Sequence, residues 1–419
     1  MDLLIKSVRL PEAGIMDLFL RDGRIEEIAL CSTRKAERVI DGKGKIALPA
    51  FVNGHTHAAM TLLRGYADDM PLRPWLEEKI WVLEAKLTTE DVYWGTKLAC
   101  LEMIKSGITL FNDMYWFWEE SARAVKDMGI RAVLSGVFID MFDREKAEEQ
   151  IHRNVDLYSR ADKYRPHVSF ALGPHAVYSV SKESLRWAAE FSEEFRVPIH
   201  MHLCETEEET TFTKERYGVS PVEFLDSLGV LSERFIGAHG CWLTEADAAL
   251  LARTGAKLVH NPVSNLKLAV GKIFPYGLVQ KKGILFCLGT DGSSSNNRLD
   301  MMETMKFASL LAKFSLNDPT ALPAKRTFDL ATRDGARIFG LPDWEIKEGA
   351  SPDIILIDPG GPEFVPNFDL YSDLVYTAGS CAVDTVISMG RVVMEHRRVE
   401  GEKEIMERSR AIARDLACR

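Results

Sequence analysis

Two histidines two residues apart, His55 and His57, close the apolar run Leu48-Pro49-Ala50-Phe51-Val52-Asn53-Gly54. Strand side chains alternate faces, so both imidazoles point the same way and offer a two-toothed grip on a metal. Later runs of the same kind also end in ligand types: His200-Met201-His202-Leu203-Cys204-Glu205, Ala238-His239-Gly240 and Leu288-Gly289-Thr290-Asp291-Gly292. One H-x-H pair is ordinary on a surface. Imidazoles and a carboxylate at four separate strand ends point instead to a divalent transition ion, zinc first, with iron or manganese behind it. Such an ion lowers the pKa of water toward neutrality and so makes a nucleophile without a strong base. Glu205 follows His202 at the same strand end and is the type of group that moves a proton during attack and departure. His200 shares the facing of His202 but lies one layer deeper and reads as a core histidine, while Glu207, Glu208 and Glu209 read as solvated loop acids. The expected chemistry is metal-assisted hydrolysis. One known zinc-site pattern, H-x-E with P-C-x-x-C, does not occur in the sequence.

Groups so far apart in sequence can meet only if strand ends converge. Apolar runs that finish in small or polar residues occur at 47–57, 107–113, 130–140, 168–177, 197–205, 235–240, 257–262 and 285–292. Between them Thr89 to Lys105, Glu119 to Met128, Lys182 to Phe195 and Glu245 to Arg253 carry helical spacing with charged outer faces. Eight such units predict an α/β fold, a (β/α)8 TIM-type barrel with its reactive groups at the C-terminal strand ends. A doubly wound open sheet is the alternative, and no G-x-G-x-x-G after the first strand supports it. Short alternating strands with tight turns fill the first fifty residues and return at Asp353 to Ile357 and Val383 to Met394. The expected division is therefore 1–49 and 346–419 as two parts of a small β-sandwich, the latter ending in a surface helix over Glu404 to Leu416, around a catalytic barrel at 50–345.

Composition narrows the partners. The chain has 419 residues, 46% hydrophobic and 27% charged, enough for a large core and unlike a disordered segment. Its net charge of −10 disfavours a nucleic-acid backbone as partner, though a single nucleoside is compatible. Seven scattered cysteines without a C-x-x-C pair read as reduced thiols of a cytoplasmic protein. Charges at Asp2, Lys6 and Arg9 interrupt the apolar core that a secretory leader would need, and no window of about 18 uncharged apolar residues offers a membrane span.

With these residues in view, the sequence resembles the amidohydrolase superfamily over nearly its whole length. His55-Thr56-His57, His202 with Glu205, His239, and Gly289-Thr290-Asp291-Gly292-Ser293-Ser294-Ser295-Asn296-Asn297 carry the resemblance. Trp75-Leu76-Glu77-Glu78, Leu83-Glu84-Ala85-Lys86-Leu87, Gly173-Pro174-His175 and His260-Asn261-Pro262-Val263-Ser264-Asn265-Leu266-Lys267-Leu268 are similar to the branch that deaminates 5'-modified adenosines. Those are 5'-deoxyadenosine, 5'-methylthioadenosine and S-adenosylhomocysteine. The resemblance implies the metal ligands His55, His57, His202 and Asp291, with His239 beside the water. It also implies one ion per chain, because two-metal members carry a modified lysine at the end of the fourth strand, which here reads Phe170-Ala171-Leu172-Gly173-Pro174-His175.

The same resemblance implies that Asp291 takes the water's proton, that Glu205 protonates the ring N1 and helps ammonia leave, and that the product is the inosine analogue. Glu84 would accept the ribose hydroxyls, His175 would hydrogen-bond the nucleoside, and Trp75 would form an apolar wall; a homo-oligomer is the expected assembly. Members that hold the amino-acid tail of S-adenosylhomocysteine use arginines near the third strand, where this sequence has Gly136 and, near the second arginine's place, Gln150. Arg144 is a candidate substitute, and Met141 and Phe142 are candidates for an apolar 5' pocket. The expectation is thus a preference for small apolar 5' groups. A guanine, cytosine or triazine hydrolase of the same barrel is the rival enzyme, and a non-catalytic scaffold the rival class; Glu84 with His175 argues against the first, and the intact ligand set against the second.

Overall fold

The structure is a computed structural model and describes residues 2–419. Eight parallel strands form the barrel, in chain order Phe51–Thr56, Ile108–Met114, Arg131–Phe138, Val168–Pro174, Ile199–Leu203, Phe235–His239, Lys257–His260 and Phe286–Leu288. Each pairs with its sequence neighbour, as βαβ crossovers require. Most are buried along their whole length, which is why they read as continuous apolar runs: helices cover them outside and side chains fill the barrel inside. Helices Thr89–Lys105, Trp118–Met128, Arg144–Ala161, Lys182–Phe195, Glu245–Thr254 and Met301–Leu316 supply much of the outer ring. Thr88 with Asp91 and Thr244 with Asp247 form capping boxes that fix where two of them begin.

The last and first strands close the barrel through bonds next to the histidine pair. Asp291 N–H donates to His55 O at 2.9 Å, and Thr290 N–H donates to Asn53 Oδ1 at 2.9 Å. Two glycines permit this approach. A Cβ on Gly54 would lie 2.5 Å from Cys287 Sγ, and one on Gly289 would lie 2.8 Å from the His55 nitrogen.

The terminal segments hydrogen-bond into one mixed eight-stranded sheet rather than two separately paired halves. Ile46–Pro49 runs antiparallel to Ile354–Ile357 with Ile354 opposite Pro49, so the two ends of the chain are joined where it enters the barrel. This sheet folds over its own apolar cluster, including Leu3, Ile5, Leu18, Leu20, Ile354 and Ile387. The C-terminal helix spans Glu402–Cys418, slightly longer than expected. It is not only a surface element: Leu416 is buried in the cluster that includes Trp75, Ile80 and Leu83, and Arg419 donates to Lys86 O at 2.9 Å. The chain's end therefore braces the helical excursion over residues 72–84, which roofs the mouth of the barrel.

Candidate metal centre and substrate cavity

Strand periodicity places His55 and His57 on one face of the first strand, and the closing bond of the barrel brings Asp291 to them. His55 Nε2 and His57 Nε2 each lie 3.3 Å from Asp291 Oδ1, and His57 Nε2 lies 3.3 Å from His202 Nε2. One donor atom each from His55, His57 and Asp291, and likewise from His55, His202 and His239, falls within 4.8 Å of the others. The second nitrogen of each ring is committed elsewhere. His57 Nδ1–H donates to Met114 O at 2.7 Å, His202 Nδ1–H to His175 O at 2.9 Å, and His239 Nδ1–H to Asn265 Oδ1 at 2.7 Å. Those bonds leave the Nε2 atoms as unprotonated donors aimed at a common point. His55 Nε2 is buried with no hydrogen-bond partner among the described residues. A cation accounts for that orphan and for the crowding, and a set of imidazoles with one carboxylate suits a divalent transition ion.

Burial works against an ionised Asp291, but His55, His57 and His239 outweigh it and hold the carboxyl well below its ordinary range. Its other oxygen accepts from Ser264 Oγ at 2.6 Å and Ser295 Oγ at 2.9 Å, so the side chain has one orientation. Cys204, His239 and Asp291 all hold φ in the left-handed region, at 49°, 76° and 63°. Three strand ends thus turn sharply where their side chains must face inward, a strain that is concentrated at functional sites.

A cavity opens over this cluster, lined by His57, His202, His239 and Asp291 together with Trp75, Glu84, His175 and Glu205. A mainly apolar wall with a few converging polar groups is the make-up of a small-molecule site. Glu205 is 7% exposed, and burial raises its carboxyl pKa, opposed mainly by His239, whose Nδ1 stands 3.7 Å from Glu205 Oε1. Glu84 Oε1 is enclosed and unpartnered, and burial pushes the carboxyl up to about 7 against the pull of Tyr115 and Trp116. His175 Nδ1–H donates to Ser179 Oγ at 2.8 Å, and its burial pushes its pKa down to about 3, so the ring is neutral.

Other expectations change. Gly136 does not face the cavity: a Cβ there would lie 2.0 Å from Asn154 Oδ1, on the helix side of the third strand. Gln150 is spent on the backbone, accepting from Ile139 N–H at 2.6 Å and donating to Ile139 O at 2.8 Å. Arg144 is exposed and pairs with Glu148 at 3.0 Å. Met141 does line the spaces that adjoin the cavity, whereas Phe142 packs near Phe212 with ring centroids 6.0 Å apart.

His200 is buried, as expected, but it is not a passive core residue. Its Nε2 accepts from His55 Nδ1–H at 2.9 Å while its Nδ1–H donates to Ser135 Oγ at 3.2 Å. Glu207 and Glu208 are solvated, whereas Glu209 is 2% exposed and bonded to the backbone. The signal for Glu209 was its place three residues after Thr206, the spacing of a helix cap. No comparable signal marked Tyr115 and Trp116, which reach Glu84 from the second strand's end, or Arg153, which lines the space beyond it.

A closed parallel barrel with His, His, His and Asp converging at its C-terminal mouth defines a metal-dependent hydrolase fold. The chain belongs to the amidohydrolase family, whose model matches residues 46–393. It is 47% identical over 420 residues to a 5-methylthioadenosine/S-adenosylhomocysteine deaminase of Archaeoglobus fulgidus, covering 99% of both chains. It is 46% identical over 413 residues to a 5'-deoxyadenosine deaminase of Methanoregula boonei, covering 97% of this chain and 93% of that one. Among solved structures, an adenosine deaminase from Xanthomonas campestris with bound zinc superposes with a TM-score of 0.93 at 34% identity, covering 100% and 99% of the two chains. No helix of the described residues is long and apolar enough to cross a membrane.

Proposed function

We propose that this protein hydrolytically deaminates adenosines modified at the 5' position, 5'-deoxyadenosine, 5'-methylthioadenosine or S-adenosylhomocysteine, to the inosine analogue and ammonia. The observation that carries the reading is that two acids, the buried Glu205 and the half-buried Glu84 with its enclosed Oε1, line the same cavity as the histidine–aspartate cluster. One acid is available for a ribose and the other for a purine ring.

His55, His57, His202 and Asp291 would hold one divalent ion, zinc by preference, as in the bound-zinc relative. When bound, it supplies a Lewis acid that brings the pKa of a water toward neutrality. Asp291 takes the proton of the attacking water on the oxygen that faces His55 and His57. His239, its Nδ1–H tethered to Asn265, turns its Nε2 toward the attacking water and orients it for C6. Glu205 delivers a proton to N1 as C6 becomes tetrahedral and takes back the C6 hydroxyl proton as the C6–N bond breaks, while the proton that Asp291 took leaves with the amine as ammonia. Trp75 and His175 wall the purine from water, and Glu84 accepts the ribose hydroxyls.

The test is a panel of free adenine, adenosine and the three 5'-modified compounds, followed by loss of adenine absorbance and by ammonia release. Turnover of the 5'-modified ribosides well ahead of free adenine is expected. Turnover of guanine, cytosine or a triazine instead would overturn the reading. Glu205→Gln should reduce kcat by about 10² to 10⁴, the usual cost of losing a general acid–base group, with metal content unchanged.

A further inference from the structure

The helix Glu207–Tyr217 opens with Thr206, whose hydroxyl accepts from Glu209 N–H at 3.3 Å. An acid three residues after a helix cap commonly reaches back to the cap residue's own N–H. Glu209 reaches further. Its Oε1 accepts from Cys204 N–H and its Oε2 from Glu205 N–H, each at 2.9 Å. Two consecutive N–H groups on a chain that turns through the left-handed region at Cys204 form a small anion-binding concavity. Here the protein fills it with its own carboxylate. The turn is held from the other side too, since Gly240 N–H donates to Leu203 O at 2.9 Å and Trp242 N–H to Cys204 O at 2.8 Å.

We propose that Glu209 is a positioning residue for the deamination chemistry: its carboxylate clamps the backbone of Cys204 and Glu205 and so fixes the direction of the Glu205 side chain. The proposal rests on the function proposed above and deepens it. Glu209 does not line the central cavity and, among the described residues, makes no hydrogen bond to the four metal-site residues, so its influence on the reaction passes through Glu205. The geometry also demands a carboxylate. An amide at this place offers one acceptor and turns an NH2 group on the second N–H, which is then buried and unpaired.

Misplacing a reacting group by about 1 Å costs roughly 10²-fold. Glu209→Gln is therefore expected to lower kcat for 5'-deoxyadenosine by about 10- to 100-fold, with KM changed less than about threefold and the bound metal unchanged. The deciding measurement is the double-mutant cycle with Glu205→Gln. If Glu209 acts through Glu205, adding Glu209→Gln to Glu205→Gln costs less than about twofold more; an equal loss in both backgrounds shows an independent structural role and overturns the proposal. Wild-type kcat in Glu209→Gln overturns it as well. Should that variant not fold, Glu209→Ala opens space beside the adjoining cavity of about 700 Å³, and added formate should raise its kcat but not that of Glu205→Gln/Glu209→Ala. Absence of rescue overturns the clamp. The outcomes separate cleanly: no wild-type deamination of any 5'-modified adenosine overturns the substrate reading, whereas wild-type activity untouched by Glu209→Gln overturns only the role of Glu209.

Discussion

The N–H of Asp291 donates to the carbonyl of His55 at 2.9 Å, so the bond that closes the barrel joins two residues of the metal centre. Closure and ligand assembly are one event. Because the bond uses main-chain atoms, side-chain changes at Asp291 separate chemistry from architecture. Asp291→Ala should leave the barrel closed and cost activity by at least about 10³, since ligand and proton acceptor vanish together. Asp291→Asn can still offer an oxygen but cannot take a proton, and should be similarly inactive while keeping more metal. Elemental analysis beside turnover checks this. Two tightly bound ions per active wild-type chain, or substantial turnover in Asp291→Ala, would refute the assignment.

The sequence made the convergence of these histidines and Asp291 legible because a strand's two-residue period and the strand ends of a barrel are local rules. His55 and His57 are such a pair, and Asp291 follows directly after the last apolar run. What it hid were contacts across strands. His200 carries no local mark that distinguishes a core histidine from one bonded to a ligand, since its partners His55 and Ser135 are 145 and 65 residues away. Glu209 sits in a run of three glutamates that only the helix register divides into two solvated and one buried. Gly136 misleads because the third strand's facing places its Cβ against Asn154, while its neighbours Val137 and Ile139 line the cavity.

His200 makes a prediction of its own. By accepting from His55 Nδ1–H it fixes the tautomer in which His55 Nε2 is free to ligate. His200→Ala should weaken metal affinity by about 10- to 100-fold, the usual effect of removing such a partner, with kcat of the fully loaded enzyme reduced far less. Competition against a chelator of known affinity measures it. Unchanged affinity would return His200 to a packing role.

Glu84 sets a pH dependence. Its folded pKa of about 7 lies above the ordinary value of 4.5, chiefly through burial. A group with a raised folded pKa contributes stability that is fully present below the unfolded value and lost as pH rises through the folded one, here between about 4.5 and 7. Glu84→Gln cannot ionise, so its melting temperature relative to wild type should be higher at pH 8 than at pH 5. Binding has the opposite sign, because the ionised carboxylate is the better acceptor for two hydroxyls. The affinity of wild type for a nucleoside product should improve as pH rises through about 7, and Glu84→Gln should bind more weakly without that rise. Parallel pH profiles for the two proteins would remove Glu84 from the ribose site.

The choice of 5' group turns on which cations can reach beyond the ribose. Gly136 faces Asn154, Gln150 is bonded to Ile139, and Arg144 pairs with Glu148 in solvent, so none of the three serves a carboxylate in the cavity. Beyond Glu84 lies an adjoining space of about 900 Å³ lined by Trp81, Trp116, Phe117, Ile139 and Met141, with Arg153 as its single cation. Arg153 has no ion pair or side-chain hydrogen bond among the described residues, and it is exposed. An apolar wall with one solvated arginine favours 5'-deoxyadenosine and 5'-methylthioadenosine over S-adenosylhomocysteine in kcat/KM. One charge-assisted contact contributes about 1.5 to 3 kcal/mol, and solvent exposure places Arg153 at the lower end, near tenfold. Arg153→Ala should therefore reduce kcat/KM for S-adenosylhomocysteine by about tenfold and leave 5'-deoxyadenosine within about twofold. A strong wild-type preference for S-adenosylhomocysteine that survives Arg153→Ala but falls in Arg144→Ala would show that the loop carrying Arg144 folds over the bound tail.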